Sequence, residues 1–528
     1  MVVERVRRSA AAAVVLASGF AAATADPGPA AAQDDSARLR QAVTVDGILA
    51  HQRALQAIAD RNGGTRASGT PGYGQSVAYV AGKLRRAGYQ VQLQPFQFPF
   101  FQELGTPTFA RVSPSPRTFT VDTDFVTMTY SGSGDITGRL VPTNDIVIPP
   151  TPDPSSTSGC EPADFPAPPA ANSIALIQRG TCTFQLKAEN AAAAGYAGVV
   201  IFNEGQVGRT DASGGTLGAP QGIPAIFASF AVGQELYQQA QAGAVTAHLD
   251  VDTISEVRTT RNIIADTARG RIDRIVVVGA HLDSVIEGPG INDNGSGSST
   301  ILEIALQMKR LNIRPLNKVR FAWWGAEELG LLGSEYYVAN LSTQARRNID
   351  SNLNYDMLGS PNFARFVYDG DGSLTPEDDT DAGPEGSDTI EQIFLRYFAS
   401  RGLATEPTPF DGRSDYGPFI AVGIPAGGLF SGAEGIKTPE QAVKFGGVAG
   451  VAFDACYHQS CDTIRNLSRL ALDQLGDGAA HAVVRLAQRV QATGLTAPAR
   501  LAAEAAVASG AAQAKRSGLL YKGGYLQR

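Results

Sequence analysis

The chain has 528 residues, 51 acidic against 44 basic side chains, a formal net charge of −7, and 43% hydrophobic residues. A chain of this length supplies ample core for two to four domains. The acidic balance, with no basic cluster to offset it, argues against a nucleic-acid partner.

Arg5, Arg7 and Arg8 precede an Ala/Val/Leu/Gly-rich run, Ser9–Ala23, and Ala23-Thr24-Ala25 follows as a cleavage site. This reads as a secretory signal over residues 1–25. The run is too short and alanine-rich to span a membrane, and no other stretch reaches spanning length. A soluble, secreted protein is expected, extracellular or in the cell envelope. The four cysteines fall as two local pairs, and the disulfides Cys160–Cys182 and Cys456–Cys461 suit an oxidising destination.

Residues 26–40 read as a flexible lead. Helices follow over 43–59 and 76–87, then Gly88 and an alternating strand over 89–96, an α/β opening. Between 106 and 134 the texture changes to short Thr/Ser/Pro-rich strands. Ile174–Gln178, Leu186–Ala194 and Gly198–Asn203 read as a β-α-β unit without a cluster of His, Asp and Glu.

Four apolar strands come next, at 261–265, 273–279, 319–324 and 351–355. The run Ile275–Ala280 suits a strand buried on both faces of a parallel sheet. After three of these strands chemistry-bearing groups appear: His281 and Asp283, then Glu327 and Glu328, then Asp356. Sites form at the carboxyl ends of strands in open α/β sheets. Asp293 follows His281 across a Gly-rich loop, and His458 lies between the second pair of cysteines. Asp283, two residues beyond His281, suits an acid that orients the imidazole.

Other residues read as structural. Ala247-His248-Leu249-Asp250 repeats Ala280-His281-Leu282-Asp283, but nothing chemical follows it. Glu303 and Glu335 read as solvated helix positions, His51 and His481 as surface or capping residues, and Trp323 and Trp324 as core or pocket wall. Residues 369–388 read as an acidic surface loop, and a long helix is expected over 468–493.

His281, Asp293, Glu327, Glu328, Asp356 and His458 form a mixed nitrogen and oxygen set suited to zinc. Adjacent glutamates can divide labour, one binding metal while the other acts as general base. A carboxylate bridging two ions would complete a two-metal hydrolytic site.

The motifs HLDS…NDNGSG, WGAEELGLLGS, NYDMLGS and CYHQSCD together resemble the zinc aminopeptidases of peptidase family M28. The likeness covers essentially the whole chain outside an insert and the tails. RGTCTFQLKAENAAAAGYAGVVIFN resembles the protease-associated (PA) domain, a lid or substrate-access module inserted in several exopeptidases. The resemblance implies an α/β fold, with a mixed, largely parallel central sheet flanked by helices (the zinc exopeptidase fold) and an inserted β-rich PA domain. The expected organisation is a signal peptide over 1–25, the peptidase domain over 26–124 and 253–495, the PA insert over 125–252, and a tail over 496–528.

The resemblance further implies two zinc ions, with His281 and Asp356 on one, Glu328 and His458 on the other, and Asp293 bridging. Glu327 would be the general base, Asp283 the partner that orients His281, and Tyr457 a stabiliser of the oxyanion. The Asp293–Asn294 peptide is expected to be cis, and Arg413 to help orient a peptide substrate. Family members often carry His where this chain has Tyr416. The expected function is a secreted di-zinc aminopeptidase acting on apolar N-terminal residues. Competing readings are a carboxypeptidase or dipeptidase on the same scaffold, a family M20 metallopeptidase, and a non-catalytic receptor-like ectodomain.

Overall fold

The computed structural model describes residues 29–373 and 382–494. The expected signal peptide and the tail over 496–528 lie outside the described residues.

Eight strands form the larger sheet, in the order Gln90–Glu103, Thr253–Asp266, Asn317–Trp324, Arg271–His281, Ile349–Tyr355, Ala426–Phe430, Phe366–Tyr368, Glu406–Thr408. The four central strands, from Asn317–Trp324 to Ala426–Phe430, are mutually parallel. The fold class is the expected one. Along Arg271–His281, Val276, Val278 and Ala280 join one apolar core with Ile301, Ile304 and Leu472. Ile275 and Val277 join another with Trp324, Tyr337 and Phe419. With both faces covered, the strand needs an uninterrupted apolar run. Gly279 leaves room for a neighbour, since a Cβ there would stand 2.6 Å from Trp324 Nε1.

Register carries the chemistry to one rim. His281 pairs across from Trp324, and Gly279 from Asn354. Three adjacent parallel strands therefore finish level, and the residues after each emerge side by side. The helix Gly295–Arg310 then returns across the sheet, with Asn294 as N-cap accepting from Gly297 N at 2.9 Å.

Gln90–Glu103 and Thr253–Asp266 pair antiparallel from Gln90 opposite Asp266 to Glu103 opposite Thr253. This pairing carries the first strand well past the expected stop near 96. The ribbon leads to a second eight-stranded sheet, ordered Arg117–Thr118, Thr108–Ser113, Val245–Val251, Gly134–Pro142, Ile174–Gln178, Gly198–Phe202, Ala225–Ala228, Phe125–Thr127. Strands at Ile174–Gln178 and Gly198–Phe202 are parallel and joined by the helix Phe184–Ala193, as the β-α-β reading requires. The sheet also takes in Thr108–Ser113 and Arg117–Thr118, ahead of residue 125 where the resemblance starts the insert. Both expected disulfides are present.

Two local expectations fail. Pro29–Ala42 is a helix rather than a flexible lead, packed on Arg469–Ala487 with Leu39 fully buried. His51 and Glu303 are buried, not solvated, and pair at 3.1 Å between His51 Nε2 and Glu303 Oε2. His51 Nδ1 meets the Tyr79 hydroxyl at 2.8 Å. Single polar residues in amphipathic helices do not reveal such a partner, which comes from a helix far along the chain.

Candidate active site

All six candidate side chains meet at the rim of the parallel strands. His281 Nε2 lies 3.2 Å from Asp293 Oδ1, 3.2 Å from Asp356 Oδ1 and 3.8 Å from Glu327 Oε2. His458 Nε2 lies 3.2 Å from Asp293 Oδ2 and 3.0 Å from Glu328 Oε2. The two oxygens of Asp293 thus face two different imidazoles. The Asp293–Asn294 peptide is cis, as the resemblance implies.

The backbone that presents these groups is unusual at three points. Ala326, just before Glu327, Met357, just after Asp356, and His458 itself all have positive φ. Each such residue costs on the order of 1–2 kcal/mol, so neighbours must hold it. Ala326 N donates to Ser68 Oγ at 2.7 Å, and Met357 N to Asn294 Oδ1 at 3.2 Å. Outliers of this kind concentrate at functional sites.

The electrostatics follow from crowding acids in a buried place. Burial, opposed by His281 and reinforced by Asp415 and Asp356, pushes Glu327 well above the ordinary carboxylate range. Burial and then Asp293 push Glu328 up to about 7. For His458, burial is outweighed by Glu328 and Asp293, and the imidazole is pushed up to about 11. Such a site holds protons where cations would sit, and metal binding releases them. His281 Nδ1, Asp283 Oδ2 and Glu328 Oε1 are buried without a hydrogen-bond partner. Donor atoms of His281, Glu327 and Asp356, and of His281, Asp293 and Glu328, converge within 4.8 Å of one another. Two imidazoles among carboxylates fit zinc.

Asp283 sits on the Nδ1 side of His281 at 3.7 Å, ion-pair range rather than a hydrogen bond. It also accepts from Glu327 N at 3.3 Å, tying the histidine's neighbour to the glutamate pair. Tyr457 stacks on the His458 ring, centroids 3.8 Å apart, and its hydroxyl accepts from Arg413 Nη2 at 3.3 Å.

Several contributors escaped the sequence reading. Ser414 Oγ donates to Asp356 Oδ2 at 2.6 Å. Asp462 accepts from Asp293 N at 3.0 Å and from Asn292 N at 2.9 Å, and Asp454 takes Asn292 Nδ2 at 2.6 Å. Arg66 is fully buried and donates to the carbonyls of Leu282, Pro289 and Gly290, pinning the loop between His281 and Asp293. Asp462 is the last residue of CYHQSCD, Asp454 lies two residues before that motif and Ser414 follows Arg413, but their residue types alone gave no role; Arg66 has no such signal.

The cluster opens onto a cavity walled by Met357, Tyr368, Phe430 and Ala433 and edged by Asp411, Arg413 and Tyr457.

Comparison with known proteins gives the family. The model of peptidase family M28 matches residues 262–483, and that of the PA domain residues 136–236. An aminopeptidase of Pseudomonas aeruginosa (strain UCBPP-PA14) is 47% identical over 445 residues, 84% of this chain and 81% of its own. The solved aminopeptidase from Aneurinibacillus sp. strain AM-1 is similar at a TM-score of 0.61 and 25% identity, over 87% of this chain and 98% of that one. A solved zinc aminopeptidase from Bacillus subtilis is similar at a TM-score of 0.55 and 27% identity, over 86% of this chain and 98% of that one. By its motifs and these relatives, the chain belongs to peptidase family M28 and carries a PA domain.

Proposed function

We propose that the protein is an exported aminopeptidase that uses two zinc ions to remove apolar N-terminal residues from peptides. The observation that carries this reading is the position of Asp293, one oxygen toward His281 and the other toward His458. A carboxylate so placed suits a bridge between two cations. His281 and Asp356 would hold one, Glu328 and His458 the other. Bound there, zinc supplies a Lewis acid for the scissile carbonyl and lowers the pKa of water toward neutrality.

The remaining steps belong to the chain's own residues. Glu327, beside the cluster with a raised proton affinity, takes the proton of the attacking water and delivers it to the leaving amine. Asp283 orients His281 and fixes the backbone of Glu327. The Tyr457 hydroxyl, held by Arg413, donates to the developing oxyanion. The free α-amine of the substrate is met by Glu327 and Asp356. Its apolar side chain rests on Met357, Tyr368, Phe430 and Ala433. The peptidase unit is assigned to residues 26–124 and 253–495, and the PA insert to 125–252 as a substrate-access module. Two disulfides support export, and no helix among the described residues is long and apolar enough to cross a membrane.

A carboxypeptidase reading fares worse. It needs a free cation for the terminal carboxylate, and the one Lys or Arg among the described residues that line the cavity, Arg413, is already paired with Glu434. A panel of aminoacyl nitroanilides with a chelator, then with zinc restored, tests the proposal. Cleavage should be fastest for apolar residues, stop on chelation and return with zinc. Equal cleavage of N-acylated peptides would overturn it.

A further inference from the structure

The rim of the cavity carries one ion pair that the chemistry above does not use. Arg413 Nη1 donates to Glu434 Oε1 at 2.7 Å, while Arg413 Nη2 donates to the Tyr457 hydroxyl at 3.3 Å. Glu434 follows Ala433, a wall residue, and its side chain is half exposed at 55%; Arg413, at the cavity's edge, is 39% exposed, so both ends of the pair are accessible. Burial opposes its charge, but the bond from Arg413 holds Glu434 below the usual carboxylate range. The pair is therefore formed at neutral pH.

Consider what reaches that point. On the proposed aminopeptidase reading, on which this inference rests, Tyr457 meets the scissile carbonyl and Arg413 lies immediately beyond. The C-terminal carboxylate of a dipeptide ends one residue past the scissile bond, no more than about 3.6 Å of chain. An unpaired arginine there would bind that carboxylate with a planar fork of donors. With Glu434 in place, the cation is shared and a second negative charge faces the incoming one.

We propose that Glu434 is a specificity-determining residue, which holds the Arg413 guanidinium away from the terminal carboxylate of a dipeptide and so favours longer or C-terminally uncharged peptides. A carboxylate on a short substrate must displace Glu434 before it gains Arg413. A longer peptide carries an uncharged amide at the same place and meets no such competition.

The test uses two substrates that differ only in that charge, Leu-Ala and Leu-Ala amide, with release of leucine measured on the zinc-loaded full chain. Wild type should prefer the amide. In Glu434→Gln the ratio of kcat/KM for amide over free acid should fall by roughly 1.5- to 5-fold, the range expected for an exposed ion pair. The change should lie in KM for Leu-Ala, whatever the variant does to absolute rates. In the double variant Arg413→Gln/Glu434→Gln the gain for Leu-Ala should vanish. A variant weakened only in its fold would lose both substrates alike and leave the ratio where it was. An unchanged ratio in Glu434→Gln, or a gain that survives loss of Arg413, overturns the assignment. If wild type releases leucine from neither substrate, the aminopeptidase reading itself falls and takes this inference with it.

Discussion

The carboxylate of Asp462 accepts the backbone N–H of Asp293 at 3.0 Å, binding the end of the Cys456–Cys461 loop to the Gly-rich loop after His281. Through this contact the segment that presents His458 and the segment that presents Asp293 are fixed to each other. Asp462→Ala leaves the buried N–H groups of Asn292 and Asp293 without that acceptor. Outer-shell substitutions of this kind weaken metal affinity by about 10–100-fold. Zinc titration of the chelated variant against a competing dye, with circular dichroism as a check on folding, should show such a loss. Wild-type affinity would mean the Asp293 loop is fixed without Asp462.

Glu327 has its proton affinity raised by burial yet is assigned no place among the zinc ligands. Glu327→Gln should lower kcat by about 10²–10⁴-fold, the range for losing a positioned general base. Zinc content by atomic absorption should equal that of wild type. A variant that lost both zinc and activity would move Glu327 from base to ligand.

Tyr416, on the loop that carries Arg413, is fully buried. Its hydroxyl donates to Asp411 Oδ1 at 2.7 Å and accepts from Gly412 N at 3.0 Å, while its ring packs against Tyr368 and Phe410 with centroids 4.8 and 4.9 Å away. Tyr416→Phe loses the hydrogen bonds alone and should cost about 1 kcal/mol. Tyr416→Ala also empties the space behind Tyr368 and should cost about 3–5 kcal/mol. Thermal unfolding ranks the two. Tyr416→Phe should also raise KM, because Asp411 and Arg413 share the loop it anchors.

The His481 imidazole should make acid destabilising independently of the metal site. Burial, then Arg485 and Arg40, hold it down to about 4. It meets Ser36 Oγ at 2.8 Å and stacks on Tyr397. The unfolded chain takes up the proton first, near the ordinary histidine value of about 6.5. Its contribution to stability is therefore complete above that value and is lost as pH falls through it toward 4. His481→Phe keeps a ring against Tyr397 and removes the titration. The melting temperature should fall less between pH 7.5 and 5 in the variant than in wild type; equal losses would place the acid sensitivity elsewhere.

The sequence by itself determined the strands and what lies at their ends. Ile275–Ala280 had to be buried on both faces because it is apolar without interruption, and His281, Glu327, Glu328 and Asp356 follow their strands by short, fixed steps. Local periodicity and chain adjacency suffice for such statements, and the motifs in order supplied His458 and Asp293. Only the tertiary structure decided the rest. That Asp293 lies between two imidazoles, that Asp462 holds the Asp293 loop and Ser414 the Asp356 carboxylate, that Glu434 occupies Arg413, and that Glu303 is buried against His51 are all contacts between elements distant along the chain. A polar side chain looks alike in sequence whether water or a partner satisfies it. Which of the two it finds depends on strand register and helix packing, which are set by the whole core and not by the residues nearby.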